Sequence, residues 1–308
     1  MRRLAALILS LAAGAAVAQP PAPRFRVGDR GFASLQEAVA AIGAGEGTIH
    51  IAPGTYRECA VQDAGRVAYV ADTPGKTVFT RVTCEDKAAL VLRGQAARVD
   101  GIVFSHFEVG DGNGAGIRIE TGNLTVTRSM FLDSQSGILS AEDPSSTISV
   151  DHSTFAGLGN DPTGNGAHAI YVGNYGALRV TACRFERGTG GHYVKSRAPR
   201  IEVAGNSFDD TRGHMTNYMI DLSNGARGRI TDNMFVMGKD KDNHSVMISV
   251  APEGARNDST GLVIERNRAT LAPGVSWRPV FVGNWSGETV VLRDNALGEG
   301  ITPTARKW

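Results

Sequence analysis

The sequence has almost no net charge, no regular glycine spacing and no long apolar run beyond its first residues. Its 308 residues include 32 basic and 31 acidic side chains, and this balance indicates neither a nucleic-acid footprint nor a polybasic membrane anchor. The 38 glycines have no three-residue period and only 20% of the residues are charged, which excludes collagen, coiled coil and disordered tail. With 42% apolar residues, the composition predicts a globular protein with a large core that recognises its partner locally.

Several catalytic motifs are also missing. The sequence contains no Gly-x-Ser-x-Gly, His-Glu-x-x-His, P-loop or dinucleotide glycine fingerprint, so serine hydrolases, zincins and nucleotide enzymes lose support. The adjacent pair Asp209-Asp210 is the feature most similar to a glycosidase site. A solvated turn is the favoured interpretation of this pair, because glycosidases need two carboxyl groups that face each other across a bond.

Residues 1–18 have the order of an export signal. Two arginines precede a run of apolar or small residues, and Ala16-Val17-Ala18 precedes Gln19. The apolar run is shorter than the roughly 20 residues of a membrane-spanning helix, and its small-x-small end suits a signal peptidase. We expect cleavage after Ala18, a location in the periplasm or outside the cell, an N-terminal linker over residues 19–31, and no membrane span elsewhere.

Export would bring the cysteines to a compartment where disulfides persist. We expect Cys59 and Cys84 to pair and Cys183 to be left over. The pairing closes a loop of about 25 residues, for which loop-closure entropy predicts a stabilisation of about 3 kcal/mol. Three buried thiols are the alternative.

One short helix and one internal repeat organise the chain. The segment Ser34-Leu35-Gln36-Glu37 is a capping box, and apolar residues continue from Leu35 at helical spacing as far as Ile42. Beyond it, a unit recurs that consists of apolar-x-apolar, a turn rich in Gly and Asn, and apolar-x-x-(Ser/Asn/Cys)-x-Phe. From Phe104 onward the phenylalanines of these units are spaced by 27, 24, 30, 23 and 27 residues, which is one turn of a solenoid each time.

Units of this length cannot bury an apolar face alone, but stacked coils form parallel sheets with continuous ladders of inward side chains. We therefore predict an all-β fold, a right-handed parallel β-helix over residues 32–300, followed by a C-terminal tail at 301–308. The short N-terminal helix would cap the open end, where unpaired strand edges invite aggregation. A leucine-rich horseshoe is the main alternative, and the sequence lacks its leucines.

Two stretches carry a resemblance to a known family. Residues 32–42 together with residues 48–56 resemble the N-terminal cap and first coil of the pectin lyase-like β-helix superfamily, and the Asn-x-Phe units resemble its body. The resemblance covers roughly residues 25–300 and implies the fold. This scaffold carries lyases, hydrolases, esterases, epimerases and inert adhesins, so an activity has to be argued from the site.

Side-chain parity within the coils predicts where that site lies. If the aliphatic residues of one sheet point inward, their successors form an outward ladder with rungs about 4.8 Å apart. That ladder consists of Arg118, Leu139, Tyr171, Lys195, Asp221, Met247 and Phe281. A second row lies two residues before the aliphatics and consists of His168, His192, Tyr218 and His244. We expect these four rings to lie in one line along the axis.

The middle coils combine groups that a lyase of acidic sugars needs, namely a base for the proton α to the carboxylate and cations for the resulting charge. Lys195 is the candidate base if Arg197 lowers its pKa, and Arg197 would bind a carboxylate. Tyr171 or Tyr193 would stack on a sugar or protonate the leaving oxygen. We assign His192 with Lys195, Arg197 and Tyr193 to catalysis. The residues assigned to substrate binding are Tyr171, His168, Tyr218, Asp221 and His244.

Each of these assignments has an alternative. Lys195 and Asp221 alone would form a cross-strand surface ion pair worth less than about 1 kcal/mol. The row of rings would then only fill the coils. Transition-metal ligation has little support, because no acidic or thiolate side chain joins the row.

Shorter stretches resemble particular lyase groups. Lys195-Ser196 is similar to the Lys-Ser step of the alginate lyase and chondroitinase B group, which implies a lysine base and a calcium ion that neutralises the carboxylate. The stretch Arg197-Ala198-Pro199-Arg200 resembles the Arg-x-Pro motif of pectate lyases, and Val150-Asp151-His152 resembles their Asp-His strand. Calcium is therefore a candidate cofactor, with residues 111–113 and 240–243 as candidate loops.

Taken together, the sequence predicts an exported, monomeric β-helix protein that cleaves uronic-acid-containing glycans by β-elimination. Its partner would be an acidic polysaccharide or another glycan, and not a nucleic acid. A non-catalytic glycan-binding or surface module of the same fold is the second hypothesis.

Overall fold

A computed structural model describes residues 23–164 and 166–306 of the chain. The predicted signal peptide at residues 1–18 lies outside the described residues. Within the described ranges the regular structure is one helix, α1 Leu35–Ile42, and 32 short strands.

The strands are, in chain order, β1 Phe25–Val27, β2 Arg30–Phe32, β3 Glu46–Ile51, β4 Gly54–Tyr56, β5 Ala60–Gln62, β6 Arg66–Ala71, β7 Thr77–Thr80, β8 Ala88–Leu92, β9 Ala96–Asp100, β10 Ile102–Ser105, β11 Ala115–Ile119, β12 Asn123–Thr127, β13 Met130–Leu132, β14 Ser136–Ser140, β15 Asp143–Asp151, β16 Thr154–Ala156, β17 Ile170–Val172, β18 Tyr175–Thr181, β19 Arg184–Glu186, β20 Val194–Ser196, β21 Arg200–Ala204, β22 Ser207–Asp209, β23 Ile220–Leu222, β24 Arg227–Thr231, β25 Met234–Met237, β26 Val246–Val250, β27 Val263–Glu265, β28 Arg268–Leu271, β29 Val280–Asn284, β30 Val291–Arg293, β31 Ala296–Leu297 and β32 Thr302–Arg306.

Successive coils contribute strands to three sheets. The first sheet runs β2-β1-β3-β6 and then through every third strand to β30; the second sheet contains β4 to β31 and the third sheet β5 to β32 in the same manner. The β1 strand pairs antiparallel with β2 and β3. From β3 onward the described strands of each sheet pair in parallel. The predicted all-β parallel solenoid is confirmed.

An aromatic ladder fills the interior behind the second sheet. Phe155, Phe185 and Phe208 are completely or almost completely buried, and their ring centroids follow each other at 4.9 and 4.7 Å with nearly parallel planes. The stack continues to Phe131 at 4.8 Å and to Phe235 at 4.9 Å. Offset stacking adds about 0.5–1.5 kcal/mol per pair to the burial of the rings, so the repeating phenylalanine holds the coils in register.

A ladder of polar side chains marks the turn between the first and second sheets. The amide of Asn233 accepts a hydrogen bond from the backbone N–H of Asn206 at 2.9 Å and donates to the backbone carbonyl of Val203 at 2.9 Å. Asn267 repeats the arrangement one coil later. Each turn therefore satisfies its buried backbone groups through the next coil. The residue before each asparagine has a positive φ, as in Asp232 at 59°.

The helix caps the first coils as predicted. The hydroxyl of Ser34 accepts from the backbone N–H of Glu37 at 3.2 Å, and Leu35 is buried against the core. The predicted domain boundaries need correction at both ends. The strands β1 and β2 lie within the range predicted as a linker and pair with the first sheet, and β32 lies within the predicted tail and pairs with β29.

Cys59 and Cys84 are joined by a disulfide. Cys183 is free and buried, and burial raises the pKa of its thiol to about 12. No helix in the described part of the chain is long and apolar enough to cross a membrane.

Candidate functional site

The outward ladder of the third sheet places three of the predicted residues side by side. Tyr171 on β17 pairs with Lys195 on β20, and Lys195 pairs with Asp221 on β23. Parity places these side chains on the outer face, because their neighbours Ile170, Val194 and Ile220 all point into the core. The central part of the predicted ladder is therefore confirmed.

The ladder beyond Asp221 differs from the prediction by two residues. Ile220 pairs with Ile248, and Asp221 consequently pairs with Ser249 instead of Met247. The next rung is Gly283 instead of Phe281. The chain uses a longer loop before β26 than the repeat suggested, so the parity is kept and the register is shifted.

A cleft of about 520 Å³ lies over these strands. Its walls include His168, Tyr171, His192, Lys195, Arg197 and Glu253. Sequence reasoning missed Glu253, which comes from the turn after β26. The sequence feature that could have indicated Glu253 is a carboxylate three residues after the end of a third-sheet strand, in the same corner of the coil as Arg197.

Lys195 is held as an ammonium ion between two carboxylates. Its Nζ donates to Oδ2 of Asp221 at 2.9 Å and also donates to Glu253. Burial alone would lower the pKa of Lys195, but the charges and hydrogen bonds of Asp221 and Glu253 outweigh it and raise the pKa. The predicted lowering of the Lys195 pKa by Arg197 is therefore wrong. As an ammonium ion, Lys195 has no lone pair to accept a proton.

Asp221 lies beneath the cleft and not on its surface. It is 1% exposed, and its two oxygens accept from the hydroxyls of Ser223 and Ser249, each at 2.8 Å. A buried carboxylate is tolerated when it is paired and fully hydrogen-bonded. The substrate-binding role predicted for Asp221 is thus corrected to support of the Lys195 ammonium.

Arg197 connects the other members of the site. Its Nη2 donates to Glu253 at 2.6 Å, its Nη1 to Asn224 at 2.9 Å, and its Nε to the phenol oxygen of Tyr171 at 3.0 Å. Since the Tyr171 oxygen accepts this bond, its own proton is free to be donated elsewhere. A second hollow of about 210 Å³ continues past Arg197 toward the first sheet.

His168 and His192 form a neutral pair at one wall of the cleft. Nδ1 of His168 accepts from the backbone N–H of His192 at 3.1 Å and lies 3.2 Å from Nδ1 of His192. Because a backbone N–H can only donate, Nδ1 of His168 carries the lone pair, and Nδ1 of His192 carries a proton. The lone pair of His192 is therefore on Nε2. Burial, reinforced by the nearby Lys195, holds the pKa of both rings well below 6.5.

Three of the four predicted rings form a row. The centroids of His168 and His192 are 4.9 Å apart, and those of His192 and Tyr218 are 5.5 Å apart. His244 leaves the row and packs against Trp277 at 5.1 Å. The assignment of His244 to the site is corrected, because the two-residue shift at β26 puts Val246 opposite Tyr218.

Tyr193 belongs to the interior and not to the cleft. It is 3% exposed, and its ring packs beside the stacked rings of Phe185 and Phe208 at centroid distances of 6.1 and 6.3 Å. Its hydroxyl donates to Asp210 at 2.7 Å. The catalytic role predicted for Tyr193 is therefore corrected to a core contact. Asp210 is itself buried and paired with Lys241 at 3.0 Å, so the interpretation of Asp209-Asp210 as a solvated turn is wrong for Asp210.

Aspartate oxygens of the two candidate calcium loops accept hydrogen bonds from other groups of the protein. Asp111 accepts from the backbone of Asn113, and Asp240 accepts from His214 and from the backbone of Met215. Among residues 23–164 and 166–306, no three His, Cys, Asp or Glu side chains group together in a way that could hold a metal ion. Calcium remains a prediction from the resemblance.

The repeat, the three parallel sheets and the polar turn ladder agree with a comparison of the sequence with protein families. Residues 115–295 match the family described as "Right handed beta helix region". The chain belongs to this family. The match includes Tyr171, Lys195, Arg197 and Glu253, so these cleft residues of the right-handed β-helix protein lie within it.

Solved structures show the same fold. A pectin methylesterase from Aspergillus niger is 13% identical, with a TM-score of 0.52, and the alignment covers 92% of this chain and 91% of that chain. The rice weevil pectin methyl esterase is 11% identical, with a TM-score of 0.52 and coverage of 88% and 87%. These similarities show that the β-helix protein shares its overall fold with the two esterases. No curated protein matches the sequence.

The site of this β-helix protein combines three chemical capacities. The Nε2 of His192 is an uncharged acceptor, the Tyr171 phenol is an available donor, and Lys195 with Arg197 supplies two positive charges. Glu253 bridges the two cations at the cleft surface, with 42% of its side chain exposed. An uncharged base beside fixed cations is suited to abstracting a proton from a carbon next to a carboxylate.

Proposed function

We propose that this protein is an exported enzyme that cleaves uronic-acid-containing polysaccharides by β-elimination in the cleft of the third sheet. The observation that carries the proposal is the neutral His192 in the cleft, whose Nε2 lies 3.8 Å from Oδ2 of Asp221, the carboxylate that also binds the Lys195 ammonium. A base that is uncharged at neutral pH, together with a fixed cation, is the minimal requirement for removing a weakly acidic C–H proton.

In this proposal each residue of the cleft has one role in the reaction. Nε2 of His192 takes the proton from the carbon α to the uronate carboxylate. The electron pair of that C–H bond forms the new carbon–carbon double bond while the bond from the β carbon to the glycosidic oxygen breaks. Tyr171 donates its proton to the departing oxygen, and Arg197, which bonds to the phenol oxygen, stabilises the phenolate that remains.

Glu253 supports the assignment of a carboxylate substrate. Its carboxylate accepts from both Lys195 and Arg197, and these bonds hold its pKa below the ordinary value, although burial alone would raise it. A uronate carboxylate would make the same contacts once Glu253 turns outward. The structural neighbours are named for pectin, a polysaccharide, which agrees with this substrate class.

The decisive experiment is incubation with pectate, alginate and glycosaminoglycans while ultraviolet absorbance of the unsaturated uronyl end is recorded. His192→Asn keeps a donor near His168 and removes the Nε2 lone pair, so the rate should fall by about 10³-fold. The rate of Tyr171→Phe should fall to a similar extent. The matched control is His152→Asn, since His152 is exposed and lies in a turn away from the cleft.

A non-catalytic glycan-binding module is the second candidate. The pairing of both cations with Glu253 favours it, because such pairs reduce the charge available to a transition state. Retention of one polysaccharide with no absorbance change for any substrate would establish this second function. Full activity of His192→Asn would overturn the proposed mechanism.

A further inference from the structure

A separate hollow of about 750 Å³ lies over the first sheet, distinct from the cleft and from the smaller hollow beside Arg197. Its charged lining consists of Arg179, Arg200, Glu202, Arg227, Arg229, Glu265 and Arg293. The small residues Ala177 and Gly228 contribute to its floor. We call this hollow the arginine groove. It is on a different sheet from the cleft, and the proposed reaction does not use it.

The groove contains a like-charge pair in direct register. Arg200 and Arg227 are cross-strand partners on β21 and β24, and such pairs destabilise a sheet. Arg227 is paired with Asp258. Arg200 has no carboxylate within ion-pair distance in residues 23–164 and 166–306. An anionic group bound between the two guanidinium groups would relieve this repulsion.

The two glutamates define the kind of ligand. Glu202 accepts from Arg179 at 2.9 Å and from Arg229 at 2.5 Å, and Glu265 accepts from Arg293 at 2.5 Å. These bonds hold the guanidinium groups in place, and the remaining lone pairs can accept hydroxyl protons. A polymer with both carboxylates and hydroxyls matches this mixture. The described lining contains no aromatic side chain, so the stacking platform typical of single-stranded nucleic-acid sites is missing.

We propose that the arginine groove binds an extended strand of an acidic polysaccharide, with carboxylates on Arg200 and Arg227 and sugar hydroxyls on Glu202 and Glu265. The strands that carry these residues lie about 4.8 Å apart, which is close to the advance of one sugar ring in an extended chain. Arg200 begins β21 of the first sheet, three residues after Arg197 of the cleft. The groove and the cleft have no lining residue in common, so binding in the groove does not require the cleft to be catalytic.

The test is affinity electrophoresis of the full chain in gels that contain alginate or polygalacturonate. Arg200→Ser/Arg227→Ser should weaken retention by about tenfold, because two charge-assisted bidentate contacts are lost. The matched control is Arg184→Ser/Arg212→Ser, which removes the same charge from exposed arginines at the second sheet. Its retention should stay within about twofold of the wild type and should depend on salt as in the wild type, whereas the groove variant should lose part of that salt dependence.

Three outcomes would overturn the proposal. The first is an equal loss of retention in the groove variant and in its control, which would indicate net charge alone. The second is retention of a DNA duplex as strong as that of the polysaccharide. The third is unchanged retention of the groove variant when Arg197→Ser abolishes it, which would confine binding to the cleft. The melting temperature of the groove variant should change little, because the variant removes the Arg200–Arg227 repulsion and loses only one exposed ion pair, Arg227 with Asp258. Loss of folding is therefore distinguishable from loss of binding.

Discussion

At the scale of single residues, burial determines the protonation states in the cleft. His168 and His192 are both partly buried beside the Lys195 ammonium, and each has a pKa well below 6.5, chiefly because burial disfavours the charged ring. The pKa of Lys195 is raised instead, because the carboxylates of Asp221 and Glu253 outweigh the effect of burial. The same cleft therefore supplies one neutral base and one fixed cation.

This pairing predicts a pH-dependent stability. In the unfolded chain the two histidines take up protons below about pH 6.5, whereas in the folded protein they do not. The unfolded state therefore binds more protons, and stability decreases as the pH is lowered below about 6.5. Each ring contributes up to about 1.4 kcal/mol per pH unit in this window. Urea unfolding at pH 6.5 and pH 5 should show a larger loss for the wild type than for His168→Asn/His192→Asn.

The carboxylates near the rings do not obscure this measurement. The pKa of Glu253 is held below its ordinary value of 4.5 by Lys195 and Arg197, so Glu253 does not titrate between pH 5 and 6.5. His152→Asn serves as the control, since His152 is exposed. Equal losses in the wild type and the double variant would contradict the assignment of two neutral rings.

The position of the site residues could be predicted from sequence, but their chemical state could not. Parity placed Tyr171, Lys195 and Asp221 on adjacent rungs correctly. The charge of Lys195 depends on Glu253, which comes 58 positions later along the chain from a turn with no repeat signal. His244 was misplaced for a similar reason, because a loop of unpredicted length precedes β26.

At the scale of elements, the turn between the first and second sheets is the most regular part of each coil. Asn206, Asn233 and Asn267 make the same bonds in successive turns. Ser129, Ser153 and Cys183 occupy the earlier turns, where each backbone N–H donates to the side chain at the same position of the next coil, at 3.2, 3.5 and 2.8 Å. The Ser/Asn/Cys position of the sequence repeat is explained by this ladder.

We expect Asn233→Leu to destabilise the protein by about 2–4 kcal/mol, because it leaves the buried N–H of Asn206 and the carbonyl of Val203 without partners. Asn233→Ser should cost less, since serine fills the equivalent turn at Ser129 and Ser153. Chemical denaturation measures both values. Asn295→Leu, at the more exposed end of the ladder, is the control and should cost less than Asn233→Leu, and the reverse order would contradict the ladder's role.

Element boundaries followed from the sequence only where the repeat was present. The helix α1 begins directly after Ser34, as its capping box predicted. The antiparallel strands β1 and β2 were missed, because they precede the first repeat and contain only three residues each. The strand β32 was missed because its segment lacks the phenylalanine of a full coil.

At the scale of the whole molecule, each coil contacts mainly its neighbours, so stability is approximately a sum of local terms. The Cys59–Cys84 disulfide joins positions 25 residues apart near the N-terminal cap. A cross-link of this span stabilises a protein by about 3 kcal/mol through loop-closure entropy. Its effect should be concentrated in the first coils.

Reduction of the protein should therefore lower its melting temperature and increase amide exchange in strands β3 to β8 while the coils around the cleft stay protected. Cys59→Ser/Cys84→Ser should behave like the reduced wild type and should no longer respond to reductant. Cys183→Ser is the control, because Cys183 is unpaired, and it should keep the response. Uniform exchange along the whole solenoid would show that the coils unfold together.

The fold was predictable because one signal, the spacing of the phenylalanines, recurs in successive coils from Phe104 to Phe235 and corresponds to one structural feature, the aromatic ladder. The activity was not predictable to the same degree, because the cleft uses residues from loops that differ from coil to coil. The sequence repeat identifies the residues that the coils have in common, whereas the site consists of residues that differ from coil to coil.

The polar turn ladder also indicates where this chain has freedom to diversify. Five positions separate Val180 from Phe185, Val203 from Phe208 and Ile230 from Phe235, so an inserted residue at that corner would break the asparagine contacts. The two other corners have variable lengths, and both border the sheet that carries the cleft. Insertions there enlarge or reshape the walls without disturbing the stack, so a lineage built on this scaffold can acquire new specificities while its architecture is conserved.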